Sequence, residues 1–401
     1  MGKIIVVALF VALAPVSLAA HDFGLILNQN LGVGGTRGDA GIDYEAALVP
    51  RFSALLGDSG ELRVSASLKA VYANDAWSFV PELLRTEFTW NFGDADLSLG
   101  RMLFADPMNL VAAGLFDGAR FSRHTAAGTF GAGLWYTGLL HSGRANIFMT
   151  DCDARFDRDN FADTYFASRR LMAALYWEHP SVAEMFRLDF ALLGQFDLNG
   201  RDSAYHSQYL IARASMPIQR FIFELGGAME IAQSVSDEQT DVWLALAGDI
   251  GLHWMPPAPF HNMLSFTGRF TSGRQGESGP MSAFIPVTAI PHGDILEAEI
   301  PGLSVLSLNY TARLHRTFSA GLTVSHFVRS DLGTFAAYPL SGEPSGNYFL
   351  GTELFARFVW SPVSDMNLNL GAGAFLPALG DVAPNADPLW RIQLAVTLAL
   401  F

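Results

Sequence analysis

Residues 186–199 read FRLDFALLGQFDLN, a segment in which apolar side chains occupy every second position. Phe190, Leu192 and Phe196 belong to the apolar set, whereas Asp189 and Gln195 belong to the other. Successive side chains of a β-strand point to opposite faces, so this strand has one apolar face and one polar face. Its length and alternation are typical of a strand that crosses a membrane.

The same alternation recurs along most of the chain. In residues 61–70, ELRVSASLKA, the apolar and polar sets separate completely. Soluble β-sandwiches also contain alternating strands, so the argument depends on the number and length of these segments. Further segments of this kind lie at residues 241–254, 263–271, 303–315, 318–329, 349–360 and 366–376.

The composition favours a membrane protein without spanning helices. Half of the residues are apolar and 16% are charged, against roughly 25% charged in an average soluble domain. After the N-terminus, no run of about 18 uncharged apolar residues is present, as a spanning helix would require. Only helices and closed barrels satisfy their backbone polar groups in lipid. We therefore predict an all-β fold, an antiparallel up-and-down transmembrane β-barrel of about 18 strands, within a range of 14 to 18.

Residues 1–20 are predicted to be a signal peptide, which leaves residues 21–401 for the barrel. Lys3 is followed by an apolar stretch over residues 4–16 and by small residues suited to cleavage. A short membrane anchor is the alternative, but the stretch is short and Pro15 interrupts it. These features place the chain in the outer membrane of a diderm bacterium. Cys152 is the single cysteine, so no internal disulfide is expected.

The predicted connections differ in length. Short turns at 56–60, 315–317 and 361–365 are expected in the periplasm, and long loops near 104–114, 151–167, 275–302 and 331–346 outside. The count of 18 strands treats residues 127–150 as one long strand; a turn at 141–143 would change its parity. Aromatic residues near strand ends are expected at the membrane interfaces. They are Trp90, Tyr136, Trp177, Trp254, Trp360 and Trp390.

The C-terminal segment, residues 390–401 (WRIQLAVTLALF), is an alternating strand that ends on an aromatic residue. It resembles the β-signal that delivers outer-membrane barrels to the barrel-assembly machinery. The resemblance makes Trp390 and Phe401 candidate assembly-signal residues. The apolar set that includes Ile392 and Leu394 lies one residue out of phase with Phe401, which departs from the usual pattern.

Two family resemblances are weaker. Residues 97–101 (LSLGR) and 116–121 (FDGARF) resemble a hairpin of the alginate-export and related porin families, which form 18-stranded barrels. The chain is also similar in length, and in its apolar loops, to FadL-like fatty-acid transporters, although their N-terminal hatch sequence is missing. Neither resemblance assigns a binding residue.

Charged residues at inward positions are the candidate lumen-lining residues. A lumen lined by side chains of both positive and negative charge can hold water and select hydrophilic solutes by charge and shape. The alternative is a network of ion pairs that fills the lumen without conduction. The set comprises Arg63, Arg85, Glu87, Arg187, Asp189, Arg213, Glu224, Asp249, Arg269, Arg313, Glu353 and Arg357, with Glu61 and Glu230 in the same phase.

Two predicted loops are unusually apolar. Residues 105–113 and residues 281–303 contain many aliphatic side chains, which exposed loops rarely do. One or both are expected to fold into the lumen or to pack on the rim. That arrangement would create a constriction or an apolar entry site. Mutual packing of external loops is the alternative.

The sequence thus predicts a porin-like channel for small hydrophilic solutes. A FadL-like transporter of long-chain hydrophobic compounds and a surface adhesin or receptor are the alternatives. With 25 basic against 39 acidic residues, nucleic acid is not an expected partner. No spacing indicates a catalytic site, a metal site or a cofactor. The expected partners are outer-membrane lipid, the assembly machinery and the solute, with a homotrimer expected by analogy with porins.

Overall fold

The strands turn their apolar faces outward and their polar faces inward. The computed structural model describes residues 18–150, 153, 165–198, 203–236, 239–257, 261–274, 281–299, 301–331 and 347–400. In the segment 186–199, Phe190, Leu192 and Phe196 are exposed on the outside of the barrel. Asp189 and Gln195 are buried on the inside. Such an apolar outer surface suits the hydrocarbon core of a bilayer.

The described residues form 18 strands, which confirms the predicted fold class and strand number. One helix, α1 (Ser142–Ala145), and a 3-10 turn at Pro377–Leu379 lie in connections. No helix in the described part of the chain is long and apolar enough to cross a membrane. The strands are β1 (Leu18–Gly35), β2 (Ala40–Leu56), β3 (Gly60–Ala73), β4 (Ala76–Asn91), β5 (Ala95–Ala105), β6 (Ala113–Thr125), β7 (Gly128–Tyr136), β8 (Arg170–Val182), β9 (Phe186–Asp197), β10 (Ser203–Ile218), β11 (Phe221–Ser236), β12 (Thr240–Trp254), β13 (His261–Thr271), β14 (Leu303–His315), β15 (Phe318–Arg329), β16 (Phe349–Val363), β17 (Met366–Leu376) and β18 (Leu389–Leu400).

Each strand pairs antiparallel with its sequence neighbours, and β1 pairs with β18 to close the barrel. At the closure, Leu27 lies opposite Leu398 and Leu31 lies opposite Leu394. The register therefore keeps the apolar side chains of both strands on the same outer face. Closure leaves no strand edge with unpaired backbone groups in the lipid.

The two rims of the barrel differ as predicted. Short turns connect β2 to β3, β14 to β15 and β16 to β17 at one rim, here called the short-turn rim. The opposite, long-loop rim carries the connections between β7 and β8, between β13 and β14 and between β15 and β16. Aromatic side chains are exposed on the outer face near the short-turn rim, among them Trp90, Trp254 and Trp360. They match the aromatic girdle of membrane barrels.

The prediction of a single strand over residues 127–150 is wrong. β7 ends at Tyr136, and residues 137–169 connect it to β8 and contain α1. Alternation stops at Leu139 and Leu140, two adjacent apolar residues of which the second is buried. The strand count remains 18 because these residues belong to one connection rather than to an additional hairpin.

Some predictions concern residues outside the described ones. Most of the predicted signal peptide lies outside the described residues, although its last three residues belong to β1. Phe401, the terminal aromatic of the predicted assembly signal, also lies outside them. The signal peptide and the assembly signal therefore stay predictions. Trp390 lies near the start of β18, where its indole donates to the carbonyl of Thr36.

Candidate functional site

The loop at residues 106–112, between β5 and β6, folds into the lumen. Its backbone is gathered around one buried carboxylate, that of Asp106. Asp106 accepts hydrogen bonds from the backbone N–H groups of residues 108, 110, 111 and 112 at 2.8–3.0 Å. Burial raises the pKa of the Asp106 carboxyl, although the four donors favour its ionised form. Across the lumen, Arg213 of β10 donates to the carbonyl of Pro107 at 3.0 Å.

The loop at residues 281–299, between β13 and β14, crosses the lumen in a similar way. Glu353 of β16 is 1% exposed and accepts hydrogen bonds from the N–H groups of residues 294, 295 and 296 at 2.7–3.1 Å. Arg357, also of β16, pairs with Asp294 at 2.6 Å. On the other side, Glu230 of β11 accepts from the N–H of Ile285 at 2.8 Å. Both apolar loops therefore fold inward, one of the arrangements that the sequence predicted.

Arg269 of β13 joins the two loops. Its guanidinium donates to the imidazole Nε2 of His292 at 3.0 Å and to the carbonyl of Met108 at 3.4 Å. The backbone N–H of Val287 also donates to the carbonyl of Val111 at 2.7 Å. Because the aliphatic side chains of both loops are buried together, the barrel contains an apolar cluster inside its polar wall. The two loops thus form one continuous constriction.

A polar cavity, here called the vestibule, lies between this constriction and the short-turn rim. Its volume is about 780 Å³. β3 to β11 supply its wall, and residues 104–107 cover it on the side of the constriction. Seven of the predicted lumen-lining residues, together with Glu61, line it. The seven are Arg63, Arg85, Glu87, Arg187, Asp189, Arg213 and Glu224.

Four arginines of the vestibule are paired. Arg63 bonds Glu61 at 2.6 Å, and Arg85 bonds Glu87 at 2.6 Å. These partners are two residues apart on one strand, so both side chains point into the lumen. Arg187 pairs with Asp189 in the same manner at 2.9 Å, and Arg213 pairs across strands with Glu224 at 2.8 Å. The vestibule therefore presents alternating charges of both signs around a water-accessible space.

Arg120 of β6 also lines the vestibule but was not predicted. It forms no ion pair with any carboxylate that the structure describes. A guanidinium in a confined polar space is a strong site for an anion because it offers a planar set of donors. Phe121, the next residue of β6, is exposed on the outside of the barrel. Successive side chains of a strand point to opposite faces, so Arg120 points inward. The alternation of β6 could have identified Arg120.

The structure places the other predicted residues away from the vestibule. Asp249 lies 3.7 Å from Arg269, beside the constriction. Arg357 lines a second cavity beside β14, β15 and β16. Glu353 and Glu230 are buried and hold loop 281–299, so they support the constriction rather than face the lumen. Arg313 lies near the short-turn rim and donates to the carbonyl of Arg316.

Further charged residues that shape the lumen lack a clear sequence signal. Arg101 and Asp117 form a largely buried pair at 2.7 Å between β5 and β6. Glu82 of β4 binds Arg144 of α1 at 3.0 Å and so holds the β7–β8 connection against the wall. Alternation along β4 predicts that Glu82 points inward. It does not predict the partner Arg144, because the closed barrel brings this distant loop residue to Glu82.

We expect attachment of the constriction to depend on pH through His292. Its Nδ1 lies 2.8 Å from the carbonyl of Ile290 and its Nε2 lies 3.0 Å from Arg269, so the neutral ring donates from Nδ1 and accepts at Nε2. Burial and the Arg269 charge lower the pKa of His292 from 6.5 to about 4. A released loop takes up the proton at the higher pKa, so attachment is lost progressively as the pH falls from 6.5 towards 4.

We therefore expect the ratio of attached to released loop to fall more than about tenfold across this interval. Open-channel current noise in a planar bilayer, recorded at several pH values, measures the change. His292→Gln keeps an acceptor for Arg269 but does not titrate, so the variant should show a weaker dependence, the remainder coming from the carboxylates that hold the loops. Equal pH dependence in the two proteins would contradict the role of His292.

No family model and no curated protein matches the sequence. Solved structures of outer-membrane proteins of Pseudomonas aeruginosa resemble the fold. OccK2 (OpdF), solved in complex with glucuronate, is 12% identical with a TM-score of 0.63 over 96% of this chain and 98% of that one. OpdK with vanillate is 11% identical with a TM-score of 0.64 over 96% and 99%. OccK5 (OpdH) is 11% identical with a TM-score of 0.60 over 96% and 99%.

These similarities establish a closed 18-stranded porin-type barrel. The resemblances to alginate-export porins and to FadL-like transporters find no support in them. The residues that suggested the first do form a hairpin, β5–β6, in which Leu97 lies opposite Phe121. Alternating strands joined by a loop occur in many porin-type barrels, so this hairpin does not distinguish one family from another.

Proposed function

We propose that the protein is an outer-membrane channel for small hydrophilic solutes. The observation that carries the proposal is the polar vestibule inside the closed barrel. The two inward loops narrow the lumen of the barrel but do not fill it. An apolar outer surface and a charged, water-accessible interior are the properties of a membrane pore. The ion pairs line the vestibule with charges of both signs, which supports a transverse field across it. We find no support for a hydrophobic-compound transporter, an adhesin or an enzyme.

The location and the assembly partners are part of this proposal. The predicted signal peptide and the C-terminal strand support export to the outer membrane and insertion there by the barrel-assembly machinery. The apolar belt would face outer-membrane lipid. A homotrimer is proposed by analogy alone; the mass of the detergent-solubilised protein, measured by light scattering, tests it.

We propose that small carboxylates are among the solutes. Glucuronate and vanillate, with which the Pseudomonas proteins OccK2 (OpdF) and OpdK were solved, each carry one carboxyl group. In the vestibule, Arg120 offers a guanidinium without a described carboxylate partner. An anion of this size can approach it without breaking an existing ion pair, whereas at Arg63 or Arg187 it would compete with a neighbouring carboxylate.

Single-channel recording tests the proposed function. The mature protein, refolded and added to a planar bilayer in KCl, should produce stepwise ohmic currents. A folded, heat-modifiable protein that never conducts would contradict a water-filled pore. The fold can be checked independently by the shift of the unheated band in gel electrophoresis.

Ion selectivity tests the role of Arg120. Arg120→Gln removes a lumen charge that forms no ion pair with a described carboxylate, so the anion permeability relative to cations should fall about twofold or more. The reversal potential in a KCl gradient measures this ratio. Arg123→Gln is the matched control, because Arg123 lies on the same strand in the outward phase and pairs with Asp94 at the short-turn rim. Equal shifts in both variants would contradict a specific role for Arg120.

A further inference from the structure

The wall opposite the vestibule has a different chemistry. Midway along β14 and β15, the inward positions carry hydroxyl and amide groups where the vestibule wall carries charges, and the inward Arg313 and Arg329 lie towards the ends of these strands. Their phase is fixed by the exposed outward residues Leu308 and Leu322. The inward set includes Ser307, Asn309, Thr311, Ser319, Thr323 and Ser325. These positions are here called the neutral wall. Beyond β16, which carries Glu353 and Arg357, inward hydroxyl and amide groups return on β18 and β1, where Thr397 donates to the amide oxygen of Asn28 at 3.0 Å.

The neutral wall forms one side of a separate cavity, here called the neutral cavity. Its volume is about 420 Å³, and it lies beside β14, β15 and β16 under residues 293 and 294 of the constriction. Asn309, Thr311 and Thr323 line it from the wall. It shares none of its lining residues with the vestibule.

The polar groups of the neutral cavity retain hydrogen-bonding capacity. Asn309 donates to the hydroxyl oxygen of Thr323 at 2.6 Å. This bond leaves the Asn309 amide oxygen as an acceptor and the Thr323 hydroxyl as a donor. The hydroxyls of Thr311 and Ser319 have no hydrogen-bond partner among the described residues. Donors and acceptors therefore alternate over one surface within reach of a single small molecule.

The charges at the edge of the neutral cavity neutralise each other. Arg357 pairs with Asp294 at 2.6 Å, and its guanidinium lies over the ring of Phe355 with 5.7 Å to the centroid. An anionic ligand would therefore have to displace Asp294, and a cationic one would meet Arg357. Neutral ligands with many hydroxyls avoid both costs, because each hydroxyl can donate and accept.

We propose that the neutral cavity is a binding subsite for uncharged polyhydroxylated solutes, namely monosaccharides and sugar alcohols. The proposal rests on the proposed channel function, since the solute reaches the cavity through the lumen. It adds to that function a site whose selectivity depends on hydrogen bonds rather than on charge. The vestibule would then recognise small carboxylates, and the neutral cavity would recognise uncharged solutes with many hydroxyls.

The test compares two neutral solutes of similar size in proteoliposomes. Glucose carries many hydroxyls, whereas triethylene glycol carries mainly ether oxygens. Swelling rates give the permeation of each. The triple variant Asn309→Leu, Thr311→Val and Thr323→Val removes the polar atoms with little change of shape. Loss of several hydrogen bonds should lower the ratio of glucose to glycol rates about threefold or more.

Thr352→Val is the matched control. It makes the same chemical change in the outward phase of β16, where Thr352 interacts with His326 and not with the neutral cavity. It should leave the ratio unchanged. Single-channel conductance in KCl is measured for every variant and should be nearly equal, because no charge is altered.

The outcomes separate the subsite from the channel. Conduction with a reduced glucose ratio in the triple variant alone supports the subsite. Normal conduction with the same ratio in all three proteins overturns the subsite and leaves the channel intact. A wild-type protein that is folded and passes neither ions nor solutes overturns the channel function on which the subsite rests.

Discussion

Replacement of Glu353 by alanine is expected to release loop 281–299 from the wall and to raise the single-channel conductance about twofold, because conductance follows the open cross-section. Glu353 holds three backbone N–H groups of the loop. Each buried donor left without a partner costs about 1–3 kcal/mol. The attached loop therefore loses its three hydrogen bonds to Glu353, which shifts the equilibrium towards release.

Planar-bilayer recording of conductance and of current noise measures this release. Glu353→Gln retains one acceptor oxygen and should give an intermediate conductance. Glu299→Ala removes an exposed carboxylate from the same loop and should leave the conductance unchanged. If Glu353→Ala conducts like the unmodified protein, the loop is held by other contacts and this account of the constriction is wrong.

Replacement of Asp106 by alanine should disrupt the other half of the constriction. Four N–H donors converge on this single buried carboxylate within a loop of seven residues. Without it the loop cannot keep its compact turn, and Pro107 loses its position against Arg213. We expect a higher conductance and a lower Tm for the folded barrel, since the inner apolar cluster depends on Leu110 and Val111.

Two measurements on Asp106→Ala test this prediction. The Tm is measured from the loss of the fast, unheated gel band with temperature, and the conductance is measured in a planar bilayer. Asp106→Asn keeps one carbonyl oxygen and should retain part of the stability. Asp94→Ala is the control, because Asp94 is an exposed acid at the short-turn rim. An unchanged Tm and conductance in Asp106→Ala would show that the loop does not need the carboxylate.

The barrel could be predicted from the sequence because its signal is local. Alternation fixes which side chains face lipid, as Phe190 and Leu192 illustrate, and a closed barrel is the only sheet that satisfies its backbone in lipid. The pairs Arg63–Glu61 and Arg187–Asp189 are local too, since partners two residues apart share a face. Alternation failed at residues 137–150, where two adjacent leucines begin a loop and not a longer strand.

The constriction could not be predicted in detail because its contacts are not local. Glu353 looks in the sequence like any inward charge of a strand, yet it binds the backbone of residues 294–296, almost sixty positions earlier. Asp106 looks like an ordinary loop acid before a proline. Which wall a loop reaches depends on barrel closure, and that is a property of all 18 strands together.

The carboxylates that hold the constriction bind backbone N–H groups and not loop side chains. Every residue except proline offers the same N–H group. The side chains of residues 294–296 can therefore be exchanged over evolution without loss of the attachment. A lineage could in this way alter which solutes the proposed channel admits while it inherits the same constriction, and the anchoring acids would change more slowly than the residues they hold.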